Sequence, residues 1–158
     1  QVHDVVTFNT LDPDTEVTAW AAPLIFNNAN VDLPPGESSS LDFECTLELD
    51  EPADLRFANG HMHEWGSSFR MTHVRDGVET VLNDVPTWEA YFRDSPPTDY
   101  FASGAFQLQA GDVVRTACNW MNDTDEIISF PHEMCDAVGL VTPKLNTWIC
   151  DSDKEMNP

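Results

Sequence analysis

The chain has 158 residues, 41% of them hydrophobic, with 28 Asp or Glu against 7 Lys or Arg. This length fits a single domain spanning residues 1–158, and the apolar content excludes an intrinsically disordered chain. The formal net charge of −21 disfavours binding to nucleic acid or to anionic membranes and concentrates cations at the surface. The longest apolar run, residues 19–26, is too short to span a membrane and contains Pro23, so no membrane insertion is expected.

Hydrophobic and polar residues alternate along most of the chain, as they do in strands with one face in a core. Residues 41–50 (LDFECTLELD) show this most clearly, with leucine, phenylalanine and cysteine on one face and mostly acids on the other. Turn-forming Pro, Gly, Asn and Asp residues separate such segments. We therefore predict an all-β antiparallel sandwich of the jelly-roll type. The predicted strands are residues 5–8, 17–26, 41–50, 55–63, 69–75, 78–82, 104–108, 113–120, 126–130 and 134–141.

The four cysteines, Cys45, Cys118, Cys135 and Cys150, are well separated and include no C-x-x-C pair. An even number without metal-binding spacing indicates two disulfides formed in an oxidising compartment, and spacing leaves three pairings open. We therefore expect a secreted or periplasmic protein. Because the sequence opens at QVHDVV without a signal peptide, we expect a processed or trimmed chain whose targeting segment has been removed.

A pair of histidines is the first candidate site. Residues 59–69 (NGHMHEWGSSF) place His61 and His63 two positions apart. On a strand these side chains share a face, so both can reach one metal ion while Met62 points away. The competing interpretation is two polar residues on the wet side of a strand.

A second stretch, residues 130–139 (FPHEMCDAVG), supplies a candidate partner. Met134 and Cys135 are neighbours on a predicted strand and therefore point to opposite faces. The thioether of Met134 can then face a site while Cys135 reaches a disulfide partner behind the sheet. A lone methionine is usually core filler. Two imidazoles and one thioether, however, suit copper, particularly Cu(I), and suit Mg²⁺ or Ca²⁺ poorly.

The two motifs GHMHEWG and HEMC, in this order, resemble the C-terminal catalytic domain of the copper type II, ascorbate-dependent monooxygenases. That family includes peptidylglycine α-hydroxylating monooxygenase and dopamine β-monooxygenase. The resemblance implies one copper per chain, cycling between Cu(I) and Cu(II), with His61, His63 and Met134 as its ligands. The implied reaction is hydroxylation of an activated C–H bond.

The likeness covers about residues 41–150 and includes the cysteines. By resemblance, the cysteine of HEMC pairs with one on a strand shortly before it, which implies Cys118–Cys135. A second family disulfide implies Cys45–Cys150. Residues 1–40 are expected only as additional strands.

The family's enzymes also have an N-terminal domain that carries a second copper and delivers an electron. The sequence shows no such domain, and His3, His73 and His132 are scattered rather than clustered. The chain is therefore expected to be a domain of a larger enzyme, or to use an electron-donor protein or a reductant such as ascorbate. One alternative is a non-catalytic copper protein for binding, delivery or one-electron transfer. Another is a metal-free jelly roll for adhesion or partner binding.

His132 departs from the family pattern. It lies two residues before Met134, so an extended strand would place it on the metal's side. As a fourth ligand it would close the open coordination position and favour binding or electron transfer. As an outer-sphere or surface residue it would leave that position open.

Several smaller features have two interpretations each. Gln1-Val2-His3 can bind Cu(II) through a free amino terminus, and Asn122-Asp123-Thr124 is either a glycosylation sequon or an ordinary turn. The remaining candidates either line the site or serve the fold: Trp65, Trp88 and Tyr91 as walls of a substrate groove, and Glu64 and Glu133 as carboxylates that orient the imidazoles.

Overall fold

The computed structural model describes residues 7–17, 19–143 and 147–151. Within them the chain is all-β, and two sheets pack face to face as a sandwich, which confirms the predicted fold class. A single short 3-10 helix, Ala90–Arg93, interrupts the described strands. The strands are β1 (Ala22–Asn28), β2 (Asp32–Leu33), β3 (Ser38–Thr46), β4 (Ala53–His61), β5 (Gly66–Arg75), β6 (Val78–Val85), β7 (Thr98–Tyr100), β8 (Gln107–Leu108), β9 (Val113–Met121), β10 (Ile128–Ser129), β11 (Cys135–Thr142) and β12 (Trp148–Asp151).

The first sheet has the order β12-β1-β11-β4-β7, with β8 also pairing with β4, and the second has the order β3-β9-β5-β6. Strands β10 and β2 form a separate two-stranded ribbon. Every described pairing is antiparallel except that of β1 with β12, which is parallel. The chain crosses between the sheets at the β4–β5 connection, which is where the histidine pair lies.

The core lies between the two sheets and follows the alternation in the sequence. Along β9, Val114, Thr116, Cys118 and Trp120 are buried, while the residues between them are partly exposed. In residues 41–50 the alternation continues beyond the end of β3, because the side chains of Leu47 and Leu49 are still buried. The alternation in the sequence therefore predicts which side chains face the core, but it does not predict the residue at which the strand pairing ends.

Some strand predictions need correction. Residues 5 and 6 of the predicted strand 5–8 lie outside the described residues, and Thr7 and Phe8 are exposed and not in a strand. The predicted strand 17–26 begins only at Ala22, with residue 18 outside the described residues, and 104–108 shortens to β8. Strands β2, β7 and β12 were not predicted. These strands have two to four residues, too few for a period to be visible, and their partners are distant in sequence.

Both disulfides join one sheet to the other. Cys45 on β3 is bonded to Cys150 on β12, and Cys118 on β9 is bonded to Cys135 on β11. These are the two pairings implied by the family resemblance. All four cysteines are therefore used as covalent links across the core.

Among the described residues, no helix is long and apolar enough to cross a membrane.

Candidate metal centre

The histidine pair lies where β4 ends and the chain turns into the other sheet. His61 is the last residue of β4, and His63 lies in the turn of residues 62–65. Met62 between them is fully buried, as the strand alternation predicts. Gly66, which begins β5, allows this turn to pack closely, since a Cβ there would lie 2.6 Å from the Trp88 ring and 2.9 Å from Cε of Met62.

The two imidazoles meet edge to face. Nε2 of His61 lies 3.2 Å from Nε2 of His63, and the ring planes are 84° apart. Two imidazole nitrogens that bind one first-row metal ion at about 2.0 Å each are themselves about 3 Å apart. The observed separation therefore fits a shared ion.

The backbone selects which nitrogen of His63 is free. Nδ1 of His63 lies 2.9 Å from the carbonyl oxygen of His132. A carbonyl oxygen can only accept, so Nδ1 carries the proton and donates it, and the lone pair of the neutral ring is on Nε2. This is the arrangement in which a second hydrogen bond orients a metal-binding histidine.

The protonation equilibrium of His61 also favours a free lone pair. Burial lowers the pKa of His61 below its ordinary value of 6.5, and the neighbouring charges of His63 and Arg93 lower it further. At neutral pH the His61 ring is therefore neutral, which is the form that binds metals.

Glu133 connects the histidine turn to the segment that carries Met134. Its fully buried carboxylate accepts hydrogen bonds from the backbone N–H groups of His63 and Met134 at Oε1 and of Trp65 at Oε2. Met134 and His63, 71 positions apart in sequence (134 − 63 = 71), thus donate to one oxygen atom.

Met134 is half-buried and lies just past the end of the β4–β11 ladder, and the register of that ladder predicts that its side chain is on the histidines' side. In the β4–β11 ladder, Asp136 is paired with His61, so continuing the same antiparallel register by two residues brings Met134 opposite His63. Cys135 points the other way, since it is fully buried and bonded to Cys118 in the opposite sheet. The division of faces between Met134 and Cys135 expected from the sequence is thus reproduced at Cys135.

His132 lies in the turn between β10 and β11 and is not on a strand, so the alternation argument does not apply to its side chain. The imidazole is exposed, and the backbone carbonyl binds His63. The described residues contain no group of three or more His, Cys, Asp or Glu side chains arranged to hold one metal ion. Met134, which supplies a thioether, belongs to a residue type outside that set, and its role as a third ligand stays a prediction.

Asp136, which is not among the residues predicted for the site, is paired with His61 in the β4–β11 ladder. Burial raises its pKa to about 6, the charge of His63 opposes this shift, and Asp151 adds to it. Its Oδ1 is buried and has no hydrogen-bond partner among the described residues. Alternation from Met134 would have placed Asp136 on the same face, and this was the signal available in the sequence.

A depression of about 360 Å³ adjoins His63, whereas His61 and Met134 are not among its lining residues. Glu64 and Arg93 form an ion pair at its edge, so Glu64 contacts a guanidinium and not an imidazole. Trp65 lines the depression, Tyr91 is exposed on the 3-10 helix, and buried Trp88 donates its indole N–H to the carbonyl oxygen of His63. The remaining lining residues are Pro131 and His132, together with His63 itself.

The other candidates lie away from the pair or outside the described residues. Gln1, Val2 and His3 belong to the latter group. Asn122 is fully buried, and its Nδ2 donates to the carbonyl oxygens of Leu33 and Glu126, so the sequon forms a closed turn and not an accessible acceptor. His73 is buried near the other end of β5, with Nε2 2.9 Å from Oδ2 of Asp112.

A comparison with protein-family models finds no match for this chain, and a search of curated proteins finds none either.

Proposed function

We propose that this chain is a mononuclear copper domain of the ascorbate-dependent monooxygenase type, in which His61, His63 and Met134 bind one copper ion. The observation that carries the proposal is the 3.2 Å approach of the two Nε2 atoms, with Nδ1 of His63 already committed to a carbonyl oxygen. The motifs GHMHEWG and HEMC support the same assignment through their resemblance to that family.

The donor set supports copper over other ions. Imidazole nitrogen with thioether sulfur is a soft set that suits Cu(I), whereas Mg²⁺ and Ca²⁺ require oxygen ligands. The lowered pKa of His61 provides a neutral nitrogen donor near neutral pH, and the hydrogen bond at Nδ1 of His63 leaves Nε2 as the nitrogen available to a metal. The strongly acidic surface raises the local concentration of cations.

When bound, copper would supply one-electron redox chemistry for the oxidation of a C–H bond by dioxygen. Hydroxylation by dioxygen consumes two electrons and two protons and releases water, so a reductant of the ascorbate class, or an electron-donor protein, completes the reaction. In this proposal the depression beside His63 receives the substrate, and Trp65 forms an apolar wall. The Glu64–Arg93 ion pair borders the entrance.

The two disulfides support a proposed location in an oxidising compartment, either the periplasm or the extracellular space.

The first test is an anaerobic competition titration with Cu(I) and a chromophoric chelator. We expect one equivalent bound tightly by the wild type, loss of that binding in the double variant His61→Ala/His63→Ala, and weaker binding in Met134→Leu. His132→Ala is the matched control and is expected to bind as the wild type does, because its backbone carbonyl remains. Equal affinity in the double variant and the wild type would contradict the copper proposal.

A second measurement separates catalysis from copper carriage. Ascorbate-dependent oxygen uptake by the copper-loaded chain, abolished in His61→Ala/His63→Ala, would support the monooxygenase assignment. Copper binding with reversible redox cycling and no uptake would favour a binding, delivery or electron-transfer protein.

A further inference from the structure

Two carboxylates are buried among the described residues, Asp112 and Glu133. Their oxygens are stabilised by different kinds of partner. Asp112 is paired with the cationic side chain of Arg75 and lies beside His73. Glu133 takes part in no ion pair in the described part of the chain, and its hydrogen bonds come from three backbone N–H groups. Burying an unpaired carboxylate is costly unless several donors satisfy it, so this arrangement requires an explanation beyond filling space.

The three donors come from two segments that no strand pairing connects at this point. The β4–β11 ladder ends at the pair of His61 with Asp136, and His63 and Met134 lie beyond it. Past the end of the ladder, Oε1 of Glu133 joins the N–H of His63 to the N–H of Met134, and Oε2 holds the N–H of Trp65. Beyond the end of the ladder, the carboxylate thus links the backbone of the two candidate ligands His63 and Met134.

We infer that Glu133 is the positioning residue that holds Met134 against His63 and so determines whether the thioether can reach a copper ion bound by the two histidines. The inference rests on the proposed function. In the part of the chain that the structure describes, the hydrogen bonds of the Glu133 carboxylate all come from backbone amides, so it acts through the residues that it positions and not on the metal itself.

A carboxylate is chemically suited to this position. Its two oxygens offer about four acceptor sites and no donor, enough for three N–H groups. A glutamine has one acceptor oxygen, and its NH₂ group would face one of the three donors. Glu133→Gln therefore changes few atoms and little volume while weakening the connection between the two segments, and Glu133→Ala removes it.

The test measures Cu(I) affinity and the sulfur contribution to the copper X-ray absorption spectrum in Glu133→Gln and Glu133→Ala. Asp112→Asn is the matched control, because it changes the other buried carboxylate in the same way at a position outside the copper site. We expect Glu133→Gln to lose roughly tenfold in Cu(I) affinity and part of its sulfur scattering, since altering residues that orient ligands typically costs 10–100-fold. We expect Glu133→Ala to lose more of both, and Asp112→Asn to lose thermal stability while keeping wild-type affinity and sulfur scattering.

Three results would overturn the inference. Folded Glu133→Gln with wild-type affinity and sulfur scattering would show that the connection does not position Met134. Loss of the fold in Glu133→Gln would make Glu133 a folding determinant, and equal losses of affinity in Asp112→Asn would make the effect one of general stability. Failure here is distinguishable from failure of the proposed function, because the wild type would still bind Cu(I) through His61 and His63.

Discussion

Cys135, the residue directly after Met134, is bonded to Cys118 on an interior strand of the opposite sheet, with 5.9 Å between the two Cα atoms. The backbone at Met134 is therefore restrained twice. The disulfide of the next residue, Cys135, fixes it covalently, and the N–H of Met134 donates to the carboxylate of Glu133. The candidate centre lies at a position where the backbone of two distant segments is restrained in more than one direction, as a site with defined ligand geometry requires.

The variant Cys118→Ser/Cys135→Ser is expected to lower the free energy of unfolding by about 3 kcal/mol, the order expected for a short closed loop. We expect weaker Cu(I) binding as well, because Met134 loses its fixed neighbour. Urea unfolding and chelator competition measure the two effects. Cys45→Ser/Cys150→Ser serves as the control, since it is expected to lose stability with a smaller change in affinity. The opposite ranking of the two variants in affinity would argue against this role for Cys135.

Acid is expected to destabilise the protein partly through Asp112. Burial on its own raises the pKa of this carboxyl, but hydrogen bonds from Arg75 and from the N–H of Gln109, together with the His73 ring nearby, outweigh it and hold the pKa below its ordinary value of 3.8. A carboxyl with a lowered pKa in the folded state stabilises the fold above the pKa of the unfolded chain, and this contribution is lost as the pH falls through the folded value.

Asp112→Asn should therefore be less stable than the wild type at neutral pH, by about 3 kcal/mol, because it leaves Arg75 without its anion. The difference should shrink as the pH falls below about 4. Urea unfolding of both proteins between pH 7 and pH 3 measures it. If the difference in the free energy of unfolding between the two proteins stayed constant over this range, a charged Asp112 would not be the source of the stability.

The glycosylation sequon is expected to remain unmodified in the folded protein. Asn122 is fully buried, donates from Nδ2 to two carbonyl oxygens and accepts from the N–H and hydroxyl of Thr124. Secretion from a glycosylating host followed by intact mass measurement tests this. Asn122→Ala should lower stability by about 2–3 kcal/mol, since buried carbonyl groups lose their donors. A natively folded product with a glycan on Asn122 would refute the closed-turn interpretation.

Two glycines beside the histidines are expected to tolerate no side chain. A Cβ at Gly60 would lie 2.5 Å from the Phe69 ring, and one at Gly66 would lie 2.6 Å from the Trp88 ring. Alanine at either position should cost about 1–3 kcal/mol through overpacking and should also lower Cu(I) affinity. Gly139→Ala is the control in the same sheet as Gly60. A Cβ at position 139 would have more room, since its nearest neighbour would be a leucine methyl carbon at 3.3 Å. Thermal melts that rank Gly139→Ala as the most damaging would contradict the packing argument.

The sequence predicted the parts of the fold that depend on local pattern. Alternation in residues 41–50 and 113–120 located two strands of the second sheet, because side chains on a half-buried strand must alternate. It also assigned Met62 to the core. The same reasoning missed β12, whose parallel pairing with β1 depends on a neighbour more than 100 residues away (148 − 24 = 124).

The sequence names the candidate ligands, whose role in binding copper stays a prediction, but it does not show the contacts that support them. His61, His63 and Met134 follow from spacing and from the family resemblance, but that resemblance also supplied the disulfide pairing, which spacing left open. The contact of His63 with the carbonyl of His132, and the carboxylate of Glu133 on three backbone amides, arise from tertiary structure. The sequence suggested Glu133 as a carboxylate that orients an imidazole, whereas in the structure it binds backbone amides. A side chain that binds backbone groups leaves no spacing rule in the sequence, so neither contact could be read from it.

The most direct test of the account is the copper K-edge X-ray absorption spectrum of the Cu(I)-loaded wild type beside Met134→Leu. We expect two imidazole nitrogens and one sulfur around a single copper ion in the wild type, and loss of the sulfur with both nitrogens retained in the variant. Identical spectra, or a spectrum without imidazole scattering, would contradict the assignment of copper to His61, His63 and Met134.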